Sequence, residues 1–180
     1  RRLADYCSAS DYNTVSWSVE VTPVAGTLTK SPNVTNVCEG TNVSATLTGG
    51  SGGNGTVETE YRTHNGISWG EWATYVSGTS IPTSGVTGVE IQTRRMADYC
   101  SNSSYVTISW SVEETPVAGT FTKNPNEDNV CEGTDVSATL TSGTGGNGSD
   151  ETEYRTHNGT SWGSWATYTP GTPVSTVTTL

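Results

Sequence analysis

Two pairs of glutamates, Glu58 with Glu60 and Glu151 with Glu153, are the acid–base candidates in this chain. A strand puts residues two apart on one face, where paired carboxylates could move protons or hold a divalent cation. The same alternation puts Arg62 on that face, and a solvated strand of mixed charge accounts for the pattern without chemistry. Asn126-Glu127-Asp128-Asn129 could ligate calcium. The matching stretch elsewhere, Asn33-Val34-Thr35-Asn36, has no carboxylate, which argues against a structural metal. His64 and His157 each stand beside an Asn-Gly pair, away from any Ser or Cys nucleophile motif, and read as turn residues. The run GGSGGNG (49–55) lacks the Lys-Ser/Thr ending of a phosphate loop and reads as a flexible connection. No catalytic residue, metal ligand or cofactor is expected, and the chain is not expected to be an enzyme.

Aromatic and sulfur chemistry is the better prospect. Trp72, Tyr75, Trp165 and Tyr168 could stack on sugar rings if exposed, while Trp17, Trp110, Trp69 and Trp162 are expected in the core. The core needs them, since there are only one Phe and one Met. The closest cysteines stand 31 residues apart, too far for a zinc knuckle. In a Ser/Thr-rich, acidic chain, four cysteines read as disulfides of an oxidising compartment. The sequons Asn42-Val43-Ser44 and Asn54-Gly55-Thr56 arise readily in an Asn- and Thr-rich chain.

The elements that position these residues follow from composition. Hydrophobic residues make up 31% and charged residues 14%, with net charge −10. Helix formers are scarce, whereas Thr, Val, Tyr and Trp suit strands. Six Trp and eight Tyr argue against disorder. The only cation pairs are Arg1-Arg2 and Arg94-Arg95, so nucleic acid and anionic membranes are not expected partners. No apolar run is long enough to span a bilayer, and any export signal is expected to have been cleaved or to lie outside these residues.

Self-comparison settles the organisation. RRLADYCSASDYNTVSWSVEVTPVAGTLTKSPN at residue 1 returns as RRMADYCSNSSYVTISWSVEETPVAGTFTKNPN at residue 94, and the match runs ungapped to Gly78/Gly171. A period near 90 residues suits one small sandwich domain. Thr22-Pro23 and Thr115-Pro116 read as linkers. Cutting there gives a complete domain at 23–115. Residues 1–22 are then the C-terminal strands of a preceding domain, and 116–180 the N-terminal part of a following one, completed by a neighbouring copy. Leu180 aligns with Val86, so the match to 87–93 and then RRxADYC should follow. Either the chain is a slice of a longer array, or subunits complete each other by strand donation through Val15, Trp17 and Val19.

Within the complete domain, strands are expected at Val24–Thr29, around Val43–Leu47, at Glu58–His64, at the return segment carrying Trp69, Trp72 and Tyr75, from Val89 to Met96, and at Thr107–Glu113. Asn65-Gly66 signals a two-residue type I′ hairpin. The domain phase favours a bond between Cys38 and Cys100, leaving Cys131 to pair with Cys7 of the next copy. An intradomain bond requires an atypical path, and a bond between adjacent domains remains the alternative.

VAGT, VCEGTxVSATLT, EYRTHNGxSWGxW, GVEIQTRRMADYC and ISWSVEETP together resemble the tandem Ig-like repeats of very large secreted proteins of Bacteroidota. The resemblance covers essentially the whole chain. It implies an all-β fold of tandem immunoglobulin-like β-sandwich domains with about seven strands each, in an extracellular, cell-surface stalk or adhesive fibre whose main partner is itself. It carries no catalytic residue. A carbohydrate-binding array that uses the exposed aromatics on surface glycans is the alternative.

Overall fold

The computed structural model describes residues 1–177, so Leu180 and its alignment with Val86 lie outside the described residues. The chain is all-β. In the first repeat β1 is Thr27–Ser31, β2 Asn36–Cys38, β3 Ser44–Thr48, β4 Val57–His64, β5 Ala73–Thr74, β6 Gly88–Arg95 and β7 Val106–Glu113. In the second, β8 is Thr120–Asn124, β9 Ser137–Thr141, β10 Glu153–Tyr154 and β11 Ala166–Thr167.

One sheet runs β2-β7-β6-β4-β5, and β1 and β3 form a separate antiparallel pair. Alternation decides which residues face inward. Val89 and Ile91 on β6 and Trp110 and Val112 on β7 meet Val37 from β2 and Ala45 from β3 in one buried cluster, with Leu28, Tyr61 and Ile108 packed against it. The Trp110 indole N–H donates to the Pro32 carbonyl oxygen at 3.0 Å, and Lys30 lies over the ring. On β4, Thr59 and Tyr61 face this core while Glu58, Glu60 and Arg62 form the opposite row, as the alternation predicts.

Tyr75 closes the cluster. Its hydroxyl accepts from the Ala45 N–H at 2.8 Å and lies 3.0 and 2.8 Å from the Ala45 and Thr79 carbonyl oxygens. Tyr168 repeats this against Ala138 and Thr172. Both tyrosines are therefore core residues at 5% and 6% exposure, which corrects their assignment to a sugar-stacking surface. Tyr75→Phe is expected to destabilise the first repeat by about 1–3 kcal/mol, because it leaves the buried Ala45 N–H without an acceptor. A urea titration reads it, and a Phe variant as stable as the parent would show that the hydroxyl is dispensable.

Several expectations are corrected. The first strand begins at Thr27, and Val24 makes only an isolated bridge to Ser51. The segment β2 was not expected as a strand. It pairs in parallel with β7, a partner far away in sequence that no local periodicity reveals. The Asn65-Gly66 turn is not type I′, since no non-glycine residue has positive φ among the described residues. Instead His64 bridges Trp69, and the Asn65 side-chain oxygen accepts from the Ile67 and Ser68 N–H groups, both at 2.9 Å. Trp69 and Trp162 sit outside the core beside these turns, edge-on to His64 and His157.

The second repeat follows the first as far as its partners allow. The register of β8 on β9 matches that of β1 on β3, with Phe121 opposite Leu140 where Leu28 faces Leu47. The counterpart of β4 shortens to β10, paired only with β11. Positions matching β6 and β7 fall after residue 180. The face that Ile91 and Trp110 cover in the first repeat is here a groove of about 450 Å³, lined by Phe121, Val136, Ala138, Tyr154 and Tyr168 among others. Residues 13–20 have nearly the sequence of β7, yet they form no strand. Trp17 is 83% exposed and Trp110 1%, and Val15 and Val19 are equally open. Identical chemistry gives opposite burial because β7 has β2 and β6 to pair with, and residues 13–20 have neither.

Candidate functional site at the repeat junctions

The most elaborately built polar site lies where one repeat meets the next. Glu20, at the end of the unpaired β7-like segment, reaches the far side of the Thr22-Pro23 linker. Its carboxylate accepts four backbone N–H groups, from Asn54 at 2.5 Å, Asp98 at 3.0 Å, Tyr99 at 2.7 Å and Cys100 at 2.8 Å. Successive N–H groups converging on one point make an anion nest, and the turn Asp98–Cys100 after β6 supplies three of them. Those hydrogen bonds, with Asp98 and Asn54 foremost, hold the Glu20 carboxyl down at about 2.

The loop 49–55 is the other wall. It is fixed rather than flexible, contrary to the reading from its glycines. Gly53 N–H donates to the Val21 carbonyl oxygen at 2.8 Å. Arg95 clamps the loop from behind, through Nε to the Gly52 oxygen at 2.9 Å and Nη2 to the Gly53 oxygen at 3.2 Å. Gly52 has φ +65, and a Cβ there would stand 2.3 Å from the Thr22 carbonyl oxygen. Only glycine allows both the left-handed turn and the close approach of the linker.

The second junction repeats the loop side of this construction, while positions matching Arg95 and Asp98–Cys100 fall after residue 180. Asn147 N–H donates to Glu113 at 2.5 Å and Gly146 N–H to the Glu114 carbonyl oxygen at 2.9 Å. Gly145, at φ +68, stands so that a Cβ would lie 2.4 Å from the Thr115 oxygen. The linkers are thus gripped segments, not free hinges. The sequence reading passed over Glu20, Glu113, Arg95 and the paired glycines. A signal was present, because SVExTP and GGNG recur unchanged in both repeats.

A depressed carboxyl pKa gives the junction a pH dependence of definite sign. The Glu20 contribution is present above its ordinary value of 4.5 and is lost as pH falls from there towards about 2. Amide exchange at Asp98, Tyr99 and Cys100 is expected to lose protection across that window. Glu20→Gln is expected to abolish the pH dependence, and a wild-type profile that is flat over the same range would contradict the assignment.

The other candidate residues are placed as follows. Glu58 pairs with Arg94 at 2.5 Å and accepts from the Tyr105 hydroxyl at 2.8 Å. The Tyr105 hydrogen bond, ahead of Arg94, holds the Glu58 carboxyl below its ordinary value, and burial with the Glu58 contact pushes the Tyr105 phenol up to about 12. Glu60 accepts from Gln92 Nε2 at 3.0 Å. The two glutamates therefore serve separate cross-strand pairs, not one shared site. Asp128 of the candidate calcium stretch pairs with Lys123, which lowers its pKa. The Arg62 guanidinium lies over Trp69 and Trp72, and Arg155 lies over Trp162 and Trp165, so each indole pair has a cation on its rings.

The expected bond between Cys38 and Cys100 does not fit the sheet. Cys38 is in register with Glu113 at the end of β7, whereas Cys100 lies in the turn that precedes β7. An eight-residue strand separates them, on the order of 20 Å. A disulfide tolerates a Cα separation of roughly 7 Å at most.

No protein-family model matches the chain, and comparison with curated proteins and with solved structures gives no significant match.

Proposed function

We propose that this chain is part of an extracellular, cell-surface filament built from immunoglobulin-like domains joined end to end, with a structural or adhesive role and no catalysis. The observation that carries this reading is the junction, whose loop-to-linker contacts recur in both repeats. A catalytic or signalling domain gains nothing from gripping its linker in this way, whereas a fibre gains fixed domain-to-domain geometry. Two further features support it. The order β2-β7-β6-β4-β5, with β2 parallel to its neighbour and a β1–β3 pair across the core, suits an immunoglobulin-like sandwich. The groove of the second repeat has the lining that β6 and β7 cover in the first.

Its occupant is a hairpin with the sequence of residues 88–113, supplied by the same polypeptide as the array continues. Residues 1–22 of a second copy carry a β7 counterpart but only Arg1-Arg2 of the β6 counterpart, so they would leave the central strand position empty. Electron microscopy of a chain of several joined repeats tests the proposal. Straight fibres with an axial period of one domain are expected, and globular or randomly coiled particles would overturn it.

A sugar-binding array is the second reading, favoured by Trp69 lying at the surface of the complete repeat with 37% exposure. Glycan-dependent quenching that is lost in Trp72→Ala and Trp165→Ala would support it.

A further inference from the structure

The two halves of the junction, each seen once, bring two cysteines to one carbonyl oxygen. On the upstream side, Cys38 is in register with Glu113 on β7, and the following residue, Glu39, donates its N–H to the Glu113 carbonyl oxygen at 2.8 Å. On the downstream side, Cys100 Sγ stands 3.6 Å from the Glu20 carbonyl oxygen, while the Cys100 N–H binds the Glu20 carboxylate. Glu20 and Glu113 are the same position of consecutive repeats, and their linkers are gripped identically by Asn54/Asn147, Gly53/Gly146 and Gly52/Gly145. Transferring one half onto the other places Cys38 of a repeat beside the ADYC cysteine of the repeat that follows. Val37 and Val112 point into the core, and Cys38, next to Val37 on the strand, is exposed.

We infer that consecutive repeats are stapled by a disulfide between the VCEG cysteine of one and the ADYC cysteine of the next. Cys38 joins the cysteine that matches Cys100 in the next repeat, and Cys131 joins the one a further repeat on. Cys7 and Cys100 join VCEG cysteines of the repeats before them. No two of the four cysteines are partners within residues 1–180. The bond runs across the linker, parallel to the Glu20-type clasp, so a pulling force on one repeat reaches the next through two covalent paths.

The chemistry is thiol–disulfide exchange with a small disulfide such as oxidised glutathione. One cysteine thiolate attacks that disulfide and displaces one small thiolate. The second cysteine thiolate then displaces the other, so the protein loses two thiol hydrogens and two small thiols are released.

This inference rests on the end-to-end array proposed above. The test extends the full chain after Leu180 by the sequence of residues 87–115, which completes the second repeat and adds one ADYC cysteine. The extended and parent chains are oxidised in glutathione buffer and mapped by mass spectrometry of non-reduced peptides. In the extended chain, a peptide joining Cys38 to the added cysteine is expected, lost on reduction and absent from Cys38→Ser. Parent chains that link Cys131 to Cys100 of a second copy would make the same contact between molecules and also support the staple. A Cys38–Cys100 peptide, or an added cysteine and a Cys38 that both stay free in a folded extended chain, would overturn it. X-ray scattering of the reduced extended chain separates the two claims. An elongated two-domain particle without the cross-link leaves the array standing and removes the staple, whereas a particle with no fixed end-to-end arrangement removes the array itself.

Discussion

Replacing Trp110 by alanine is expected to destabilise the first repeat by about 3–5 kcal/mol, while Trp17→Ala leaves its stability within about 0.5 kcal/mol. The two tryptophans lie in nearly the same sequence, ISWSVE and VSWSVE. Trp110 is the largest fully buried side chain, and truncating it opens a cavity against Val89, Ile91 and Ala45 that short strands cannot collapse to fill. It also leaves the Pro32 carbonyl oxygen without its indole donor. Trp17 touches no core in this chain. Urea unfolding followed by circular dichroism reads the difference. Equal effects at the two positions would mean that residues 13–20 already sit in a sheet and that the division of the chain at the Thr-Pro linkers is wrong.

Gly145→Val is expected to release the junction between the two repeats, with a local penalty of about 2–5 kcal/mol. Two separate costs combine. Valine resists the left-handed backbone at φ +68, and its Cβ would stand 2.4 Å from the Thr115 carbonyl oxygen, a backbone atom that cannot move aside without lifting the linker. Asn147 would then lose its hold on Glu113. The expected result is faster amide exchange at Gly146 and Asn147 and a broader particle by X-ray scattering, with the core of the first repeat unchanged. Gly171→Ala makes a control, since its φ is also positive but a Cβ there meets nothing. If Gly145→Val scatters like the parent, the linker is not gripped as described.

The strands with their own periodicity were legible in the sequence. β4, β6 and β7 alternate over eight residues, and their expected ends lie within one or two residues of those found. Elements defined by distant partners were not legible. β2 is three residues of NVC whose only signature is a parallel neighbour some seventy positions later. Burial of the aromatics was legible only in part. Trp110 lies on an alternating strand and is buried as expected, but Tyr75 and Trp69 follow a turn whose length sets which of them points inward. The turn was read as two residues and is longer. The junction was overlooked because glycine-rich loops are usually read as slack. Here the absence of side chains on the glycines admits a backbone neighbour, and its signature is the recurrence of GGNG together with SVExTP, not either motif alone. The cysteines show the same limit. Sequence phase put Cys38 and Cys100 in one domain although strand order already made their bond an atypical path, and the parallel β2–β7 register places them at opposite ends.

Residual dipolar couplings on the chain extended by the sequence of residues 87–115 decide whether consecutive repeats hold one orientation. If the junction fixes consecutive repeats, both repeats fit one alignment tensor at neutral pH, and Gly145→Val separates the fit into two. Two unrelated tensors at neutral pH would show repeats that tumble independently about their linkers, which would contradict a rigid end-to-end filament.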